Sequence, residues 1–550
     1  MTLSIWIPKS EQSRHRYYIV CLLILGAFVL FYRLGDRDMW TGNESEAAYG
    51  AWDMVQTGRI LVPHFFDEPF VDNRPPGAWW LIAATYKLTG VHNTWTARLP
   101  SALAALACIL LVYAMGRRAV NANAGFLSAL ILMGMLFFVI TGRMSQQDMP
   151  LTLATTLCLW AFWRSLDNSE PVFRFVMAFQ VFLGLGVLMK GPAIVINIFC
   201  PLAAYIIYSR CWRDIKWTSF LVSLPVSFCL SLWWYIYVWI EWSSMRDVLV
   251  HRFTDQSWKH VGAFYYYILH LPELLGPVLI FLPLLPMGWR KASPAQRRGP
   301  LGLFLVSAVT MFFIYCLFSS KQTHYIVPLL PVLALAFGLL IEDQRLDEGS
   351  YLSISTLIIA TLNPLLILIW IFAAPDRMRL ESALREWGMV VLLGGIVTWC
   401  WVVWRANRRR TSWRIAWISC IIGLTFFVGD IYQRAGNTLL SREFAEKVAQ
   451  VVPDNGRLGT LDNHEALLFH LGRSVEFIKA AEANKFLEND NHYLIVPKES
   501  YLQQIDKKHR RIIVSGYPYR NRQSAYLLQG IQFEDKSKLK SSSRAENTHN

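Results

Sequence analysis

Long apolar runs alternate with short polar segments along most of this 550-residue chain. Most runs have about 17–25 residues, the length that a helix needs to cross a bilayer. Only helices and closed barrels satisfy their backbone polar groups in lipid, and the alternating strands of a barrel are missing from the sequence. The pattern therefore predicts a polytopic α-helical membrane protein with about thirteen spans. The predicted spans lie near 17–32, 98–116, 124–142, 149–164, 172–189, 191–208, 217–240, 265–288, 301–319, 324–341, 353–373, 389–404 and 413–430.

Basic residues between the spans predict one orientation. Even numbers of predicted spans separate the basic clusters, so all the clusters fall on one face of the membrane. They are Arg117–Arg118, then Arg210, Arg213 and Lys216, then Arg290, Lys291, Arg297 and Arg298, then Arg405 and Arg408–Arg410. The positive-inside rule makes this face cytoplasmic, together with the N-terminus. The rule also accounts for the net charge of +14 without a nucleic-acid partner. We expect a multi-pass protein of a bacterial inner (plasma) membrane.

The opposite, periplasmic face then carries a long polar loop, 33–97, and the region after the last span. The loop contains an amphipathic or re-entrant piece at 76–90. The sequence divides into a transmembrane domain, 1–430, a small periplasmic α/β domain, 431–535, and a disordered tail, 536–550. In the α/β domain, SREFAEKVAQVV predicts a helix, and RLGTL, SVEFI, HYLIVP and RRIIVSG predict strands.

Cysteine and histidine usage indicates neither a disulfide framework nor a metal centre. The nine cysteines form no CxxC pair, and all but Cys211 fall in apolar runs. The histidines of the outer loops are scattered, and the sequence has no HExxH, Walker, GxSxG or dinucleotide motif. No metal ligands are predicted.

Acidic and amide residues in two outer segments are candidates for chemistry. Asn43 and Glu44 stand in the acid-rich loop, where Asn followed by acids also suits the N-terminus of a helix. Asp148 opens a predicted span, where it either caps that helix or serves as a base. Each residue alone leaves both alternatives open.

Cations on the same face form a second group of candidates. Arg74 precedes two prolines, and Lys190 stands between two spans with almost no loop. Arg252 and the Lys321–Tyr325 segment lie in later outer loops. Each alone is also explained as an interface anchor or a charged loop. Together, cations on one face suit the phosphate of a lipid head group.

The ordered set of motifs resembles the GT-C membrane glycosyltransferases, in particular the aminoarabinose transferase and protein O-mannosyltransferase superfamily. The family carries W-x-x-D-E, G-x-x-x-x-P, E-K-P-P, an Asp opening a span, a K-G pair and K…Y-x-x-P…P. The matching residues of this chain extend over roughly 17–340. They are Trp40…Asn43-Glu44, Gly58…Pro63, Asn73-Arg74-Pro75-Pro76, Asp148, Lys190-Gly191 and Lys321…Tyr325…Pro328…Pro331.

The resemblance implies a GT-C fold and an inverting transfer of a sugar from a polyprenyl-phosphate donor. It implies catalytic roles for Asn43, Glu44 and Asp148. The same resemblance implies a donor-phosphate site at Arg74, Lys190, Arg252, Lys321 and Tyr325. It leaves a divalent metal near the carboxylates open.

Three departures from the family pattern lie at or beside these positions. Asn43 replaces the family's first Asp, and a neutral amide cannot take a proton, so that task would pass to Glu44 or Asp148. Glu46 stands where aminoarabinose transferases have a basic residue, and Asn73 where they have Glu. These changes argue for a sugar other than aminoarabinose.

We therefore expect a glycosyltransferase that moves a sugar to an acceptor in the outer leaflet, with lipid A or core glycan favoured. The expected partners are the polyprenyl-phosphate-linked donor, the lipid or glycan acceptor and membrane lipids, without nucleic acid. The alternatives are a protein O-glycosyltransferase of the same superfamily, a transporter of lipid-linked sugars and a non-catalytic relative.

Overall fold

The computed structural model is largely helical and describes thirteen stretches of the chain. They are residues 10–39, 42–65, 68–69, 75–167, 169–241, 262–343, 411–426, 428–429, 441–462, 464–497, 499–507, 510–516 and 525–530. The spans predicted at 353–373 and 389–404, and the tail predicted at 536–550, lie outside the described residues. The chain forms two compact units. The first holds Met1–Leu34, Val71–Leu81 and Arg98–Tyr432, and the second holds Gly35–Phe70, Ile82–Ala97 and Gln433–Asn550.

The first unit is built of apolar helices. Its longer helices are α1 Glu11–Phe31, α4 Thr94–Ala119, α5 Ala122–Met133, α6 Leu136–Gly142, α7 Asp148–Ser165, α8 Val172–Lys190, α9 Ala193–Ser209, α10 Trp217–Glu241, α13 Leu284–Lys291, α15 Pro300–Leu317, α16 Leu329–Asp343 and α17 Thr411–Phe426. Its shorter ones are α11 Tyr266–Leu269, α12 Leu271–Leu275, α14 Pro294–Arg298 and 3-10 turns at Cys211–Arg213, Gly276–Phe281 and Thr323–Ile326. Helices α2 Asn43–Thr57 and α3 Gly77–Thr89 precede α4 in the chain.

Membrane-spanning length is confirmed for part of the predicted set. Among the described residues, five helices are long and apolar enough to cross a membrane, or up to seven if each of two bent pairs is one span. The five are α1, α4, α8, α10 and α15. Helices α7, α9, α16 and α17 lie at the other predicted positions. The amphipathic or re-entrant piece predicted at 76–90 forms helix α3.

One predicted span is broken in its middle. The apolar run at 124–142 forms α5 and α6, which meet at an angle of 74°. Gly134 ends α5, and a Cβ there would lie 2.3 Å from Trp417 Cζ2, so only glycine fits. The indole Nε1 of Trp417 donates to the carbonyl of Leu130 at 3.0 Å, one turn before the break. The bend is therefore held by a side chain from α17.

The second unit contains a five-stranded sheet that confirms the small α/β domain. Its strands are β3 Arg457–Thr460, β4 Glu476–Phe477, β5 His492–Val496, β6 Arg510–Gly516 and β7 Ala525–Gly530, after a short hairpin of β1 His64–Phe65 and β2 Glu68–Pro69. The order is β4-β3-β5-β7-β6, with the first three strands parallel and the last two pairs antiparallel. Four strands match the sequence prediction, and β7 was not predicted. The helices are α18 Ser441–Val451, α19 Glu465–Leu471, α20 Ala483–Phe486 and α21 Glu499–Gln504.

Buried polar contacts tie loop residues of this unit to its helices α18 and α19. Asp38, 4% exposed, pairs with His470 and accepts the backbone N–H of Arg442 at 3.2 Å. Burial raises the pKa of Asp38, but the bonds from His470 and the backbone outweigh it and hold the pKa below its usual value. Arg442 also donates to the carbonyl of Gly35 at 3.1 Å. The segment before α2 is thereby fixed to the C-terminal residues.

Two buried histidines make the second unit acid-sensitive. Burial lowers the pKa of His92 and of His464 to about 4. His464 must stay neutral, because its Nδ1 accepts the N–H of Leu467 at 3.1 Å and caps α19. Between pH 6.5 and 4 the unfolded chain binds more protons than the folded one, so stability falls as the pH falls.

We expect the unfolding midpoint of the purified protein to drop as the pH is lowered from 7 to 4.5. Over that pH range each histidine contributes at most about 3 kcal/mol, at about 1.4 kcal/mol for each unit of pKa difference. His464→Asn should flatten part of this slope, because Asn keeps a capping acceptor and does not titrate. A slope unchanged by that substitution would remove His464 as a cause.

Candidate active site

Asp148 and Lys190 form a buried ion pair between two helices of the first unit. Asp148 begins α7, and Lys190 ends α8, 42 positions later. Their side chains are 1% and 11% exposed, and Nζ bonds directly to Oδ1. A helix N-terminus stabilises an anion and a C-terminus stabilises a cation, so both helix ends favour the charged forms. Asp148 is not the cap of α7, because Gln147 holds that position.

Two glycines let the chain approach closely beside this pair. Gly191 follows Lys190 with a φ of +68°, which side-chain-bearing residues rarely adopt, and its N–H bonds to the carbonyl of Val187 at 2.7 Å. A Cβ on Gly77 would lie 2.5 Å from the carbonyl oxygen of Leu188. Gly77 is therefore packed directly on the last turn of α8.

Tyr325 completes a cluster of three predicted site residues. It lies on the 3-10 turn after α15, and its ring centroid is 4.8 Å from the Lys190 ammonium. A cation over an aromatic face is stabilised by the ring quadrupole, most strongly where water is excluded. The fold thus brings Asp148, Lys190 and Tyr325 together from three distant parts of the sequence.

Lys321 has a different environment. Its ammonium donates to the carbonyls of Tyr315, Cys316 and Phe318 at 3.1, 2.8 and 2.6 Å. These are carbonyls that the end of α15 leaves unpaired, and an ammonium has only three N–H donors. Burial also lowers the pKa of Lys321. The geometry favours a helix cap over the predicted contact with the donor phosphate, which stays a prediction.

Asn43 and Glu44 belong to the second unit, where they begin α2. Gly42, with a φ of +87°, caps this helix, so Asn43 is its first residue and not its cap. Glu44 is 1% exposed, and both its carboxylate oxygens accept from Arg37 Nη2 at 2.7 and 2.8 Å. One guanidinium therefore holds both oxygens of Glu44, whereas Lys190 bonds one oxygen of Asp148. The predicted catalytic role of Glu44 is untested and remains a prediction.

Two of the candidate cations, Arg74 and Arg252, lie outside the described residues. Arg143 was not among the predicted site residues. It is 5% exposed and lies at the end of α6. Its guanidinium donates to the carbonyls of Val29, Leu30 and Tyr32 at 3.0, 3.1 and 2.6 Å, and so holds the end of α1. The available signal was a basic residue five positions before Asp148, directly after the predicted span 124–142.

Metal-binding geometry is not found in the described part of the chain. No three His, Cys, Asp or Glu side chains come together there in a way that could hold an ion.

The sequence is similar to a family model and to two relatives, one of them named as a glycosyltransferase. Residues 73–239 match the family model described as dolichyl-phosphate-mannose-protein mannosyltransferase. An uncharacterised protein of Aquifex aeolicus is 28% identical over 62% of this chain and 68% of its own length. The undecaprenyl phosphate-alpha-4-amino-4-deoxy-L-arabinose arabinosyl transferase of Pseudomonas savastanoi pv. phaseolicola is 26% identical over 79% of this chain and 83% of its own.

Solved structures extend the likeness to most of the chain. Two crystal structures of ArnT from Cupriavidus metallidurans, apo and bound to undecaprenyl phosphate, superpose with a TM-score of 0.76. Each covers 93% of this chain and 98% of the ArnT chain at 17% identity. The predicted GT-C fold, with its small α/β domain, is confirmed.

Proposed function

We propose that this chain is a membrane glycosyltransferase of the aminoarabinose transferase type, and that it transfers a sugar from a polyprenyl-phosphate donor to lipid A or core glycan. The observation that carries the proposal is the buried cluster of Asp148, Lys190 and Tyr325. It joins a carboxylate and a cation where the superfamily has its acid and its K-G pair.

In this reaction the acceptor oxygen attacks the anomeric carbon from the face opposite the phosphate. The bond between that carbon and the phosphate oxygen breaks, and its electron pair leaves with the polyprenyl phosphate. Lys190 supports this step by stabilising the charge that develops on the phosphate. The configuration at the anomeric carbon inverts, as the resemblance implies.

Asp148 takes the proton of an acceptor hydroxyl in this proposal. Asn43 cannot do so, and Glu44 is engaged by Arg37. The pairing with Lys190 orients the Asp148 carboxylate. A phosphate acceptor would already be anionic and would need no base, so dependence on Asp148 distinguishes the two acceptor chemistries.

We place the reaction at the periplasmic face of a bacterial inner membrane, with the N-terminus cytoplasmic. The support for this is the basic clusters on a single predicted face. Arg74 and Arg252 remain proposed donor-phosphate residues.

Lys190→Ala should weaken binding of a polyprenyl-phosphate sugar by about tenfold or more. The reason is the loss of a charge-assisted hydrogen bond, which contributes about 1.5–3 kcal/mol. Binding to the purified protein in detergent or nanodiscs measures the change. Lys216 is an exposed cation directly before α10, and Lys216→Ala is the matched control. This variant should keep the donor affinity of the parent protein. Equal donor affinity in both variants would contradict the phosphate role of Lys190.

A protein acceptor is the second candidate, because the matching family model describes protein mannosyltransferases. The longer similarity to the arabinosyl transferase from Pseudomonas, over 79% of the chain, favours the lipid acceptor. Mass spectrometry of envelope glycolipids and glycoproteins, with and without the protein, decides between them. A sugar lost only from glycoproteins would overturn the lipid A proposal.

A further inference from the structure

A cavity with several charged lining residues lies at the other end of α7 from Asp148. It has a volume of about 790 Å³ and is lined by Glu11, His15, Tyr113, Arg117, Trp160 and Arg164, among others. Asp148 and Arg164 are 16 positions apart on one helix, or about 24 Å at 1.5 Å per residue. That separation approaches the thickness of a bilayer's hydrocarbon core. The cavity therefore opens near the opposite membrane boundary.

The lining changes from polar to apolar along each helix. On α1, Glu11 and His15 stand at the helix end, and Ile19 lies one turn deeper. On α4, Arg117 stands at the end, and Leu110 lies two turns deeper. Residues three or four apart share a helix face, so each face runs from charge to hydrocarbon. A phospholipid has the same gradient, from its phosphate to its acyl chains.

Arg117 carries a positive charge that no carboxylate pairs in the described residues. Its Nη1 donates to His15 Nε2 at 3.2 Å, so this nitrogen is an acceptor and the imidazole is neutral. The Nδ1–H of His15 then donates to the hydroxyl of Tyr113 at 2.8 Å. These two hydrogen bonds orient the Arg117 guanidinium without cancelling its positive charge.

The remaining charged groups of the cavity are already engaged. Arg118 pairs with Asp167 and Glu170 at 2.9 and 3.3 Å. Glu11 accepts the N–H of Ala122 at 2.9 Å, at the positive start of α5. Arg164 also pairs with Glu170, yet its Nε is buried and has no hydrogen-bond partner among the described residues. The Arg164 guanidinium also lies over the Phe175 ring, 4.7 Å from its centroid.

We propose that this cavity binds the phosphate of a membrane phospholipid, with Arg117 as the main cation and Trp160 at the interface. The apolar depth of the cavity favours a lipid over a soluble anion. The site is separate from that proposed for the donor phosphate at Lys190 and does not depend on the sugar transferred.

The test is native mass spectrometry, with thermal unfolding, of the delipidated full-length protein in neutral detergent after adding phosphatidylglycerol. The parent protein should retain one lipid and unfold several degrees higher. Arg117→Gln should reduce lipid retention by tenfold or more. Ala114→Trp, which fills the lining and leaves every charge in place, should do the same.

Arg174 is an exposed cation at the start of α8, and Arg174→Gln is the matched control. This variant should retain the lipid. Lys190→Ala should retain it too, because Lys190 belongs to the other phosphate site. Loss of the lipid in Lys190→Ala would overturn the proposal by placing the lipid in the donor site. Equal stabilisation by inorganic phosphate alone, or full lipid retention in Arg117→Gln and Ala114→Trp, would overturn it as well.

Discussion

Asp148→Asn should slow sugar transfer by about 10²–10⁴-fold, the usual contribution of a positioned general base. The amide keeps the size of the side chain but cannot accept a proton, and it leaves the Lys190 ammonium without its anion. We therefore expect the loss in kcat and a smaller change in donor affinity. The measurement is the initial rate with a labelled polyprenyl-phosphate sugar and the purified, reconstituted protein.

Asp214→Asn is the control for this experiment, because Asp214 is an exposed acid beside a 3-10 turn. Its rate should equal that of the parent protein. The unfolding midpoint of Asp148→Asn separates lost catalysis from lost structure. A folded Asp148→Asn protein with the parent rate would rule out the carboxylate as base and would favour an acceptor that is already anionic.

Arg37→Ala should lower the free energy of unfolding of the second unit by about 3–5 kcal/mol, because it leaves the Glu44 carboxylate buried without its partner. Both side chains are at most 4% exposed, so water cannot replace the guanidinium. A lower unfolding midpoint and faster proteolysis of the C-terminal region would report the loss.

The double variant Arg37→Met with Glu44→Leu separates structure from catalysis at this pair. Apolar side chains of similar volume often restore stability where a buried ion pair is removed whole. If Glu44 only fixes the start of α2, the double variant should regain both stability and a large share of the transfer rate. A stable but inactive double variant would instead support the catalytic role predicted for Glu44. Arg59→Ala, an exposed arginine past the end of α2, should leave stability unchanged.

Helices formed by long apolar runs could be predicted from the sequence. Contacts between residues far apart in the chain could not. The K-G pair at Lys190 and the acid at Asp148 could be singled out, because polar residues inside apolar runs are costly in lipid. Their pairing could not, because it depends on how α7 and α8 pack, 42 positions apart. Lys321 shows the opposite case, since a lysine beside a helix end can cap carbonyls as well as bind phosphate.

Local signals also failed where the surrounding structure decides the conformation. Strand β7, AYLLQG, has one short apolar stretch between polar residues and becomes a strand by pairing with β5 and β6 on both sides. The break between α5 and α6 lies inside a continuous apolar run, so hydropathy predicted one straight span. Arg37 looked like one charge among many in a polar loop, and only the fold pairs it with Glu44.

The indole that holds the bend has a consequence for the order of assembly during synthesis. Leu130 and Trp417 are 287 positions apart. At roughly 5–20 residues per second, the ribosome makes the tryptophan about 15–60 s after the leucine. Helices α5 and α6 are therefore synthesised before the tryptophan that holds the bend between them. Truncations that stop before residue 411 should leave a nascent bundle that insertion chaperones or quality-control proteases recognise as unfinished.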